Sequence, residues 1–331
     1  MKPIVQTYCA RVEDVLPGLP SNTVDGVLTD PPYGIGFLNA DWDHEVPPPS
    51  VWAEVCRVMK PGACLMAFSG TRTWHKLGLA LEQGGLVIVD TLMWLYGKGF
   101  PKATNMALRI DKALGCSNRG KKFNVAGKHA PNGKVLPPPP PVGPYEARTP
   151  EGQPWLGYGN GLKPNWEPVI LARKPLDGTY AQNAMKWGCG GLNIDGGRFG
   201  DGRYPGNVLI DEEAALLLDA QDAIRTGGQQ KNGGPSRFFH AIKASPAERN
   251  AGLVLPNNHP TVKPIALAEY LARLILPTQR KTPRTLLVPF CGTFSEIIGA
   301  VRAGWDEVIG IEMDEKFYRA GQARLIRWCA A

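Results

Sequence analysis

Short apolar runs alternate with helical patterns at both ends of this 331-residue chain, and that rhythm restricts the fold more than any other feature. Val24–Leu28 reads as a buried strand running into Thr29-Asp30-Pro31-Pro32-Tyr33. Val51–Met59 has helical spacing and stops at Lys60-Pro61-Gly62, a helix-ending signal. Ala63–Phe68 and Leu86–Tyr96 read as the next strands. Toward the other end, Ile265–Leu276 is a helix and Thr285–Val288 a strand ending at Pro289-Phe290-Cys291-Gly292-Thr293. Ser295–Ala303 is again a helix, Glu307–Ile311 a strand ending in Glu312, and Glu315–Trp328 a terminal helix. Strand, helix, strand in this order specifies a parallel sheet with helices packed on it. No internal repeat interrupts it.

The middle differs. Gly and Pro punctuate it, and Pro137–Pro141 forms a stiff polyproline element. Residues 97–135 hold nine Lys or Arg against one acid, Asp111. Unpaired like charges repel without a partner, so the segment as a whole points to a polyanion. For any one of these charges a solvated loop competes. Trp166–Lys174 still looks like a strand of the core. The organisation expected is a first core part over 1–98, a basic insert over 99–162, a core strand over 163–175, a recognition region over 176–255 and a second core part over 256–331.

The turn after Thr285–Val288 and the acid after Glu307–Ile311 form one constellation. A glycine turn after one strand lets the backbone approach a ligand, and a carboxylate ending the next accepts ribose hydroxyls. Gly292-Thr293-Phe294-Ser295-Glu296 is not GxGxxG, so a nucleoside cofactor is favoured over a dinucleotide. Asp30-Pro31-Pro32-Tyr33 forms the second constellation. The prolines fix the backbone and leave a carbonyl that no following N–H can pair with. A carboxylate and such a carbonyl can accept both hydrogens of an –NH2 group, and Tyr33 can stack on a planar base. A proline turn that merely ends a strand is the plainer alternative; the acid before it and the nucleoside turn elsewhere weigh against that.

Asp30-Pro31-Pro32-Tyr33, followed late in the chain by His259-Pro260-Thr261-Val262-Lys263-Pro264 and then Pro289-Phe290-Cys291-Gly292, resembles the DNA amino-methyltransferases of the beta arrangement. In those enzymes the catalytic motif precedes the cofactor motif and a target-recognition region lies between. Gly97-Lys98-Gly99-Phe100-Pro101-Lys102 and Lys163-Pro164-Asn165-Trp166-Glu167-Pro168 are similar to phage-borne members. The resemblance implies a doubly wound α/β sheet of about seven strands, Rossmann-like, with one antiparallel hairpin, an irregular target-recognition insert, and the first strand beside the one ending in Glu312. It implies transfer of a methyl group from S-adenosylmethionine to adenine N6 in double-stranded DNA by base flipping. Cytosine N4 is the alternative, and an inactive DNA-binding homologue a further one.

By position, Asp30, Pro31, Pro32 and Tyr33 would be catalytic. Phe290, Cys291, Gly292, Thr293 and Glu312 would hold the cofactor, with Asp30 beside it and Thr261 and Lys263 at its carboxylate end. A surface lysine opening a helix is the alternative for Lys263. Lys98, Lys102, Arg119, Lys121 and Lys122 would contact DNA phosphates, and Arg198, Arg203, Arg237 and Lys243 would reach base edges. Two positions depart from the family pattern. Phe294 stands where the family has its second glycine and is expected to crowd the cofactor or reshape its pocket. Ala10-Arg11 stands where a Gly-Asp pair is usual.

Other classes fit less well. There is no Pro-Cys dipeptide to supply the thiolate of carbon-5 cytosine methylation. Cys9, Cys56, Cys64, Cys116, Cys189, Cys291 and Cys329 include no CxxC pair, which argues against zinc and for a reducing cytoplasm. A formal charge of +7 suits DNA. The N-terminal stretch does not read as a signal peptide, and no apolar run is long enough to span a membrane. Association as a homodimer stays open.

Overall fold

The computed structural model describes residues 3–36, 41–97, 104–116, 145–198, 202–226, 234–242 and 262–329. The chain divides into two compact units, one of Met1–Lys98 with Asn165–Ala331 and one of Gly99–Pro164. In the larger unit the described strands are β1 (Ile4–Cys9), β2 (Val24–Thr29), β3 (Met59–Phe68), β4 (Val87–Leu95), β5 (Trp166–Arg173), β6 (Val208–Asp211), β7 (His240–Ile242), β8 (Thr285–Pro289) and β9 (Glu307–Glu312). The described helices of the whole chain are α1 (Val12–Val15), α2 (Pro49–Val58), α3 (Trp74–Gln83), α4 (Met106–Ala113), α5 (Tyr180–Trp187), α6 (Glu212–Thr226), α7 (Ile265–Leu274), α8 (Ser295–Ala303) and α9 (Glu315–Cys329). Of these, α4 belongs to the smaller unit.

The strands form one sheet in the order β1-β9-β8-β2-β3-β5-β4-β6-β7. β1 lies parallel to β9, with Cys9 opposite Glu312, as the permuted order requires. β5 alone runs against its neighbours, pairing antiparallel with both β3 and β4. The sheet exceeds the expected seven strands because β6 and β7 extend it beyond β4. Both come from the segment read as irregular, which also carries α5 and α6. They are short and flanked by glycine and proline, so no alternation betrays them.

Side chains alternate between two cores, as the period of two in a strand demands. Val27, Leu65, Ala67, Ile170 and Leu287 pack with Trp52 and Val55 of α2 and Leu77 and Leu81 of α3. Their neighbours Leu28, Met66, Phe68, Val169, Leu171, Leu286 and Val288 pack on the other face with Leu267 and Leu271 of α7 and Ile297 and Ala300 of α8. Helices thus cover both faces, the doubly wound arrangement. α7 and α8 approach closely at Gly299, where a β-carbon would stand 2.6 Å from the Ala268 backbone. α2 ends at Val58, but Lys60-Pro61-Gly62 is not a free loop. It lies inside β3 as a bulge, with Gly62 at φ 77° and the register against β2 shifting there.

In the smaller unit, Asp111 is fully buried on α4 and collects a segment distant in sequence. It accepts from the Tyr145 hydroxyl at 2.6 Å and from the Arg148 N–H at 2.8 Å, and also from Thr149. The Thr149 hydroxyl chiefly, then Tyr145, holds the carboxyl down to about 2. The one acid of the basic segment is therefore a structural anchor.

Candidate active site

Parallel strands place their carboxyl ends along one edge, and ligands of open α/β sheets bind there. β2 delivers Asp30 to this edge, β8 delivers Phe290, and β9 ends in Glu312. β5 runs the other way, so its beginning reaches the same edge and brings Glu167 with it, opposite Trp94 near the end of β4. The Thr29 hydroxyl donates to the Pro289 carbonyl at 2.8 Å and ties the ends of β2 and β8 together.

The turn after Asp30 is held from within. The Asp43 carboxylate, 1% exposed, accepts the N–H of Tyr33 at 2.7 Å and of Gly34 at 2.9 Å. Pro31 and Pro32 have no N–H to place. The Tyr33 ring lies over Gly70, where a β-carbon would stand 3.2 Å from it. Its hydroxyl donates to Asp30 Oδ1 at 2.8 Å and lies 3.2 Å from Glu167 Oε2. The Lys263 Nζ, just before α7, donates to Asp30 Oδ2 at 3.0 Å, to Glu167 Oε2 at 3.1 Å and to the Tyr33 oxygen at 3.0 Å. Burial alone would pull this ammonium down. Asp30 and Glu167 outweigh burial and hold it above its ordinary value. Burial, then Asp30 and Glu167, raise the Tyr33 hydroxyl, so it stays protonated and a donor.

The second cluster is the loop after β8. Phe290 (φ 58°), Gly292 (φ 49°) and Phe294 (φ 69°) all adopt left-handed backbone, which costs a non-glycine residue roughly 1 kcal/mol or more. The turn is paid for by its partners. Glu312 Oε2 accepts the Gly292 N–H at 2.8 Å while Oε1 accepts that of Asp314 at 2.8 Å. The Cys291 N–H donates to the Ile311 carbonyl at 3.0 Å. Arg324 of α9, fully buried, donates to the Thr293 carbonyl, to its hydroxyl at 2.9 Å and to the Ser295 hydroxyl at 3.2 Å. Burial pushes the Glu312 carboxyl up.

These placements sort the residues singled out from the sequence. Asp30 and Tyr33 come together, and so do Phe290, Gly292 and Glu312. Cys291 and Thr293 are buried, 1% and 4% exposed, and their backbone bonds to Ile311, Phe294 and Arg324 build the turn. Lys263 is buried and not a surface lysine. Its ammonium, expected at the cofactor's carboxylate end, contacts Asp30, Glu167 and Tyr33. Phe294, expected to crowd the cofactor or reshape its pocket, turns its side chain into the core. Its ring is 0% exposed and packs edge-on against Tyr318 of α9, 5.6 Å between centroids. A ring with no exposed surface lines no open pocket. Thr261, Lys98, Lys102, Arg119, Lys121, Lys122 and Lys243 lie outside the described residues. Arg198 donates to Asp195 at 2.8 Å and to the Gly202 carbonyl at 3.0 Å. Arg203 is half-buried, and Arg237 lies in a short 3-10 turn, Pro235–Phe238.

Glu167, Asp43, Glu296 and Arg324 were not singled out in the sequence. Only Glu167 had a signal, an acid set directly before the proline of the core strand. Glu296 lies in the first turn of α8 with 4% exposure. Burial first, and the Asp30 charge second, push its carboxyl up to about 7. Cys9, Cys56, Cys64, Cys116, Cys189 and Cys291 are free. No helix of the described residues is long and apolar enough to cross a membrane.

Known proteins resemble this chain in sequence and fold. The chain is 30% identical over 129 residues to the type II methyltransferase M.HpaI of Haemophilus parainfluenzae, covering 35% of this chain and 39% of that protein. It is 32% identical over 101 residues to YubD of Escherichia coli (strain K12), covering 28% of this chain and 43% of that one. The matched part thus spans about two-fifths of the length of these curated relatives. Among solved structures, the cytosine-N4-specific PvuII DNA methyltransferase superposes with a TM-score of 0.51 at 13% identity, covering 98% of this chain and 88% of that one. M1.HpyAVI gives 0.48 at 13% identity over 97% and 98%. A sequence model of the N6/N4 DNA methylase family matches residues 24–323, nearly the whole chain, and the chain belongs to that family.

Proposed function

We propose that this chain is a DPPY-type methyltransferase of the beta arrangement that methylates an exocyclic base amine of duplex DNA, adenine N6, with S-adenosylmethionine as donor. The observation that carries the reading is the Asp30 carboxylate, set at the carboxyl edge of β2, gripped by Tyr33 and Lys263, on the same edge as the Glu312 loop.

The residues present fit the cofactor. A buried carboxylate that already orders the glycine turn keeps lone pairs for ribose hydroxyls, since each oxygen of Glu312 accepts one backbone N–H and can accept another donor. When bound, S-adenosylmethionine supplies an electrophilic methyl group.

The chain's own residues deal with the amine. The lone pair of a base amine is delocalised into its ring, and the amine is far too weak an acid to be deprotonated first. The protein must hold the nitrogen toward tetrahedral geometry. Asp30 accepting one N–H and the Pro31 carbonyl the other would do so, with the carboxylate stabilising the positive charge that develops. Asp30 is then the nearest acceptor for the departing proton. Asp30 Oδ1 and Oδ2 each hold one donor already and so keep capacity for the amine. The Tyr33 ring would stack on the extruded base, worth on the order of 1–3 kcal/mol, while its hydroxyl steadies Asp30. Tyr33→Phe therefore removes a bond to the reacting carboxylate and not only a polar tip.

Incubation with labelled S-adenosylmethionine and unmethylated duplex DNA, followed by nucleoside mass spectrometry, tests the reading. The expected product is N6-methyladenine. N4-methylcytosine would move the target to the cytosine amine, which needs the same chemistry. Absence of any labelled base would overturn the reading. That the Phe294 ring is 0% exposed supports this reading over that of an inactive homologue.

A further inference from the structure

The charges at the end of β2 do not cancel. Asp30 and Glu167 bring two negative charges and Lys263 one positive; Glu296, whose carboxyl is pushed up to about 7 by burial and by the Asp30 charge, adds negative charge only when ionised. Lys263 is held by three acceptors at 3.0–3.1 Å, which matches the three protons of its ammonium. Its side chain is 4% exposed, so water screens the cluster little, and it lies 5.3 Å from the Tyr33 ring centroid and 4.9 Å from that of Phe68. In such surroundings a Lys–Asp pair alone would be neutral. The Asp30 carboxylate would then offer little field to a nitrogen becoming cationic.

We propose that Glu167 is a positioning residue that sets the charge felt by the target amine. By sharing the Lys263 ammonium it leaves the Asp30–Glu167–Lys263 trio one unit negative, with Asp30 oriented by the lysine but not neutralised by it. The inference rests on the amine-methylation reading above. Three observations support it. Glu167 and Asp30 engage the same nitrogen from two strands that are not adjacent in the sheet order. Glu167 reaches this edge because β5 is antiparallel; a parallel strand would carry its first residues to the opposite edge. Glu167 is also the more open of the two acids, its side chain 23% exposed against 13% for Asp30. It can therefore carry charge at a smaller desolvation cost.

The competing role is that of a peg, with Glu167 merely tying β5 to the segment before α7. The two roles separate in single-turnover methylation of duplex DNA at saturating S-adenosylmethionine, by wild type, Glu167→Gln, Glu167→Asp and Glu167→Gln with Lys263→Met. Calorimetric cofactor affinity and thermal stability are measured on each. Glu167→Gln should slow the chemical step by roughly 10- to 100-fold, with KM for DNA and cofactor affinity within about twofold of wild type. Glu167→Asp should retain much of the rate. Removing the lysine as well restores one net negative charge, so the double variant should be several-fold faster than Glu167→Gln, although it has lost a further buried contact. A Glu167→Gln rate equal to wild type overturns the proposal. So does a double variant as slow as Glu167→Gln or slower, the result a peg would give. A wild-type protein that labels no base amine refutes the underlying reading, and this inference falls with it. An active wild type beside an unimpaired Glu167→Gln removes this inference alone.

Discussion

The ring of Phe294 lies so close to Gly321 that a β-carbon at position 321 would stand 2.5 Å from it. The two residues face each other across the junction of α8 and α9. Phe294 caps α8 in left-handed backbone, and its ring is turned into the core. The usual second glycine of the turn is absent, and a glycine on α9 makes room for the side chain that replaces it.

Gly321→Ala should therefore destabilise the protein by about 1–3 kcal/mol through overpacking. In a Phe294→Ala background, itself costing about 3–5 kcal/mol from the cavity left behind, the same change should cost little. Urea unfolding of the four proteins measures the coupling. Strictly additive effects would mean that the two side chains do not share this space.

Glu312→Ala should weaken S-adenosylmethionine binding, because two hydrogen bonds to a carboxylate are lost, each worth roughly 1.5–3 kcal/mol. The Gly292 and Asp314 N–H groups also lose their acceptor. Their amide hydrogens should exchange faster in the ligand-free variant, with the rest of the sheet unaffected. Unchanged affinity, measured by calorimetry, would remove Glu312 from the cofactor site.

Glu296 gives a pH dependence of stability. Its carboxyl ionises near 4.5 in the unfolded chain and is pushed up to about 7 in the folded one. Between these values the folded state holds a proton that the unfolded state has released. Stability is therefore lost as pH rises from about 4.5 through about 7, at most roughly 1.4 kcal/mol per pH unit. Glu296→Gln cannot ionise, so its stability relative to wild type should grow across that window. A difference that does not vary with pH between 5 and 8 would contradict this environment for Glu296.

Neutralising Lys98, Lys102, Arg119, Lys121 and Lys122 together should weaken DNA binding and flatten its dependence on salt, while base preference changes less. Affinity titrations at several salt concentrations check it. An unaltered slope would return these residues to the role of a solvated loop.

The sheet was legible where strands are long and flanked by helices. Val24–Thr29 and Thr285–Pro289 are buried throughout; Leu286-Leu287-Val288 marks the second as an apolar run, and Val24, Val27 and Leu28 mark the first despite the buried Asp25. β6 and β7 escaped because strands of three or four residues carry no period. The site was legible in part for a related reason. Asp30 and Glu312 follow directly from strand ends. Glu167 becomes visible only once β5 is known to run antiparallel, and Asp43 only once the turn after Tyr33 has folded onto it. Lys263 illustrates the same limit. Its residue type and place before a helix allow a surface role, and only the acids of two distant strands show that it is buried. Nothing local in Phe294 tells that its ring turns inward, because the space for it is made by Gly321 on α9.

The most direct measurement compares Asp30→Ala with wild type for single-turnover methyl transfer to duplex DNA, with S-adenosylmethionine affinity determined on the same preparations. Asp30 lies in the cluster with Tyr33 and Lys263, and the cofactor turn is anchored separately by Glu312 and Arg324. The variant should bind cofactor within several-fold of wild type and produce no detectable methylated base. Robust methylation by Asp30→Ala would contradict the assignment of this carboxylate to the target amine.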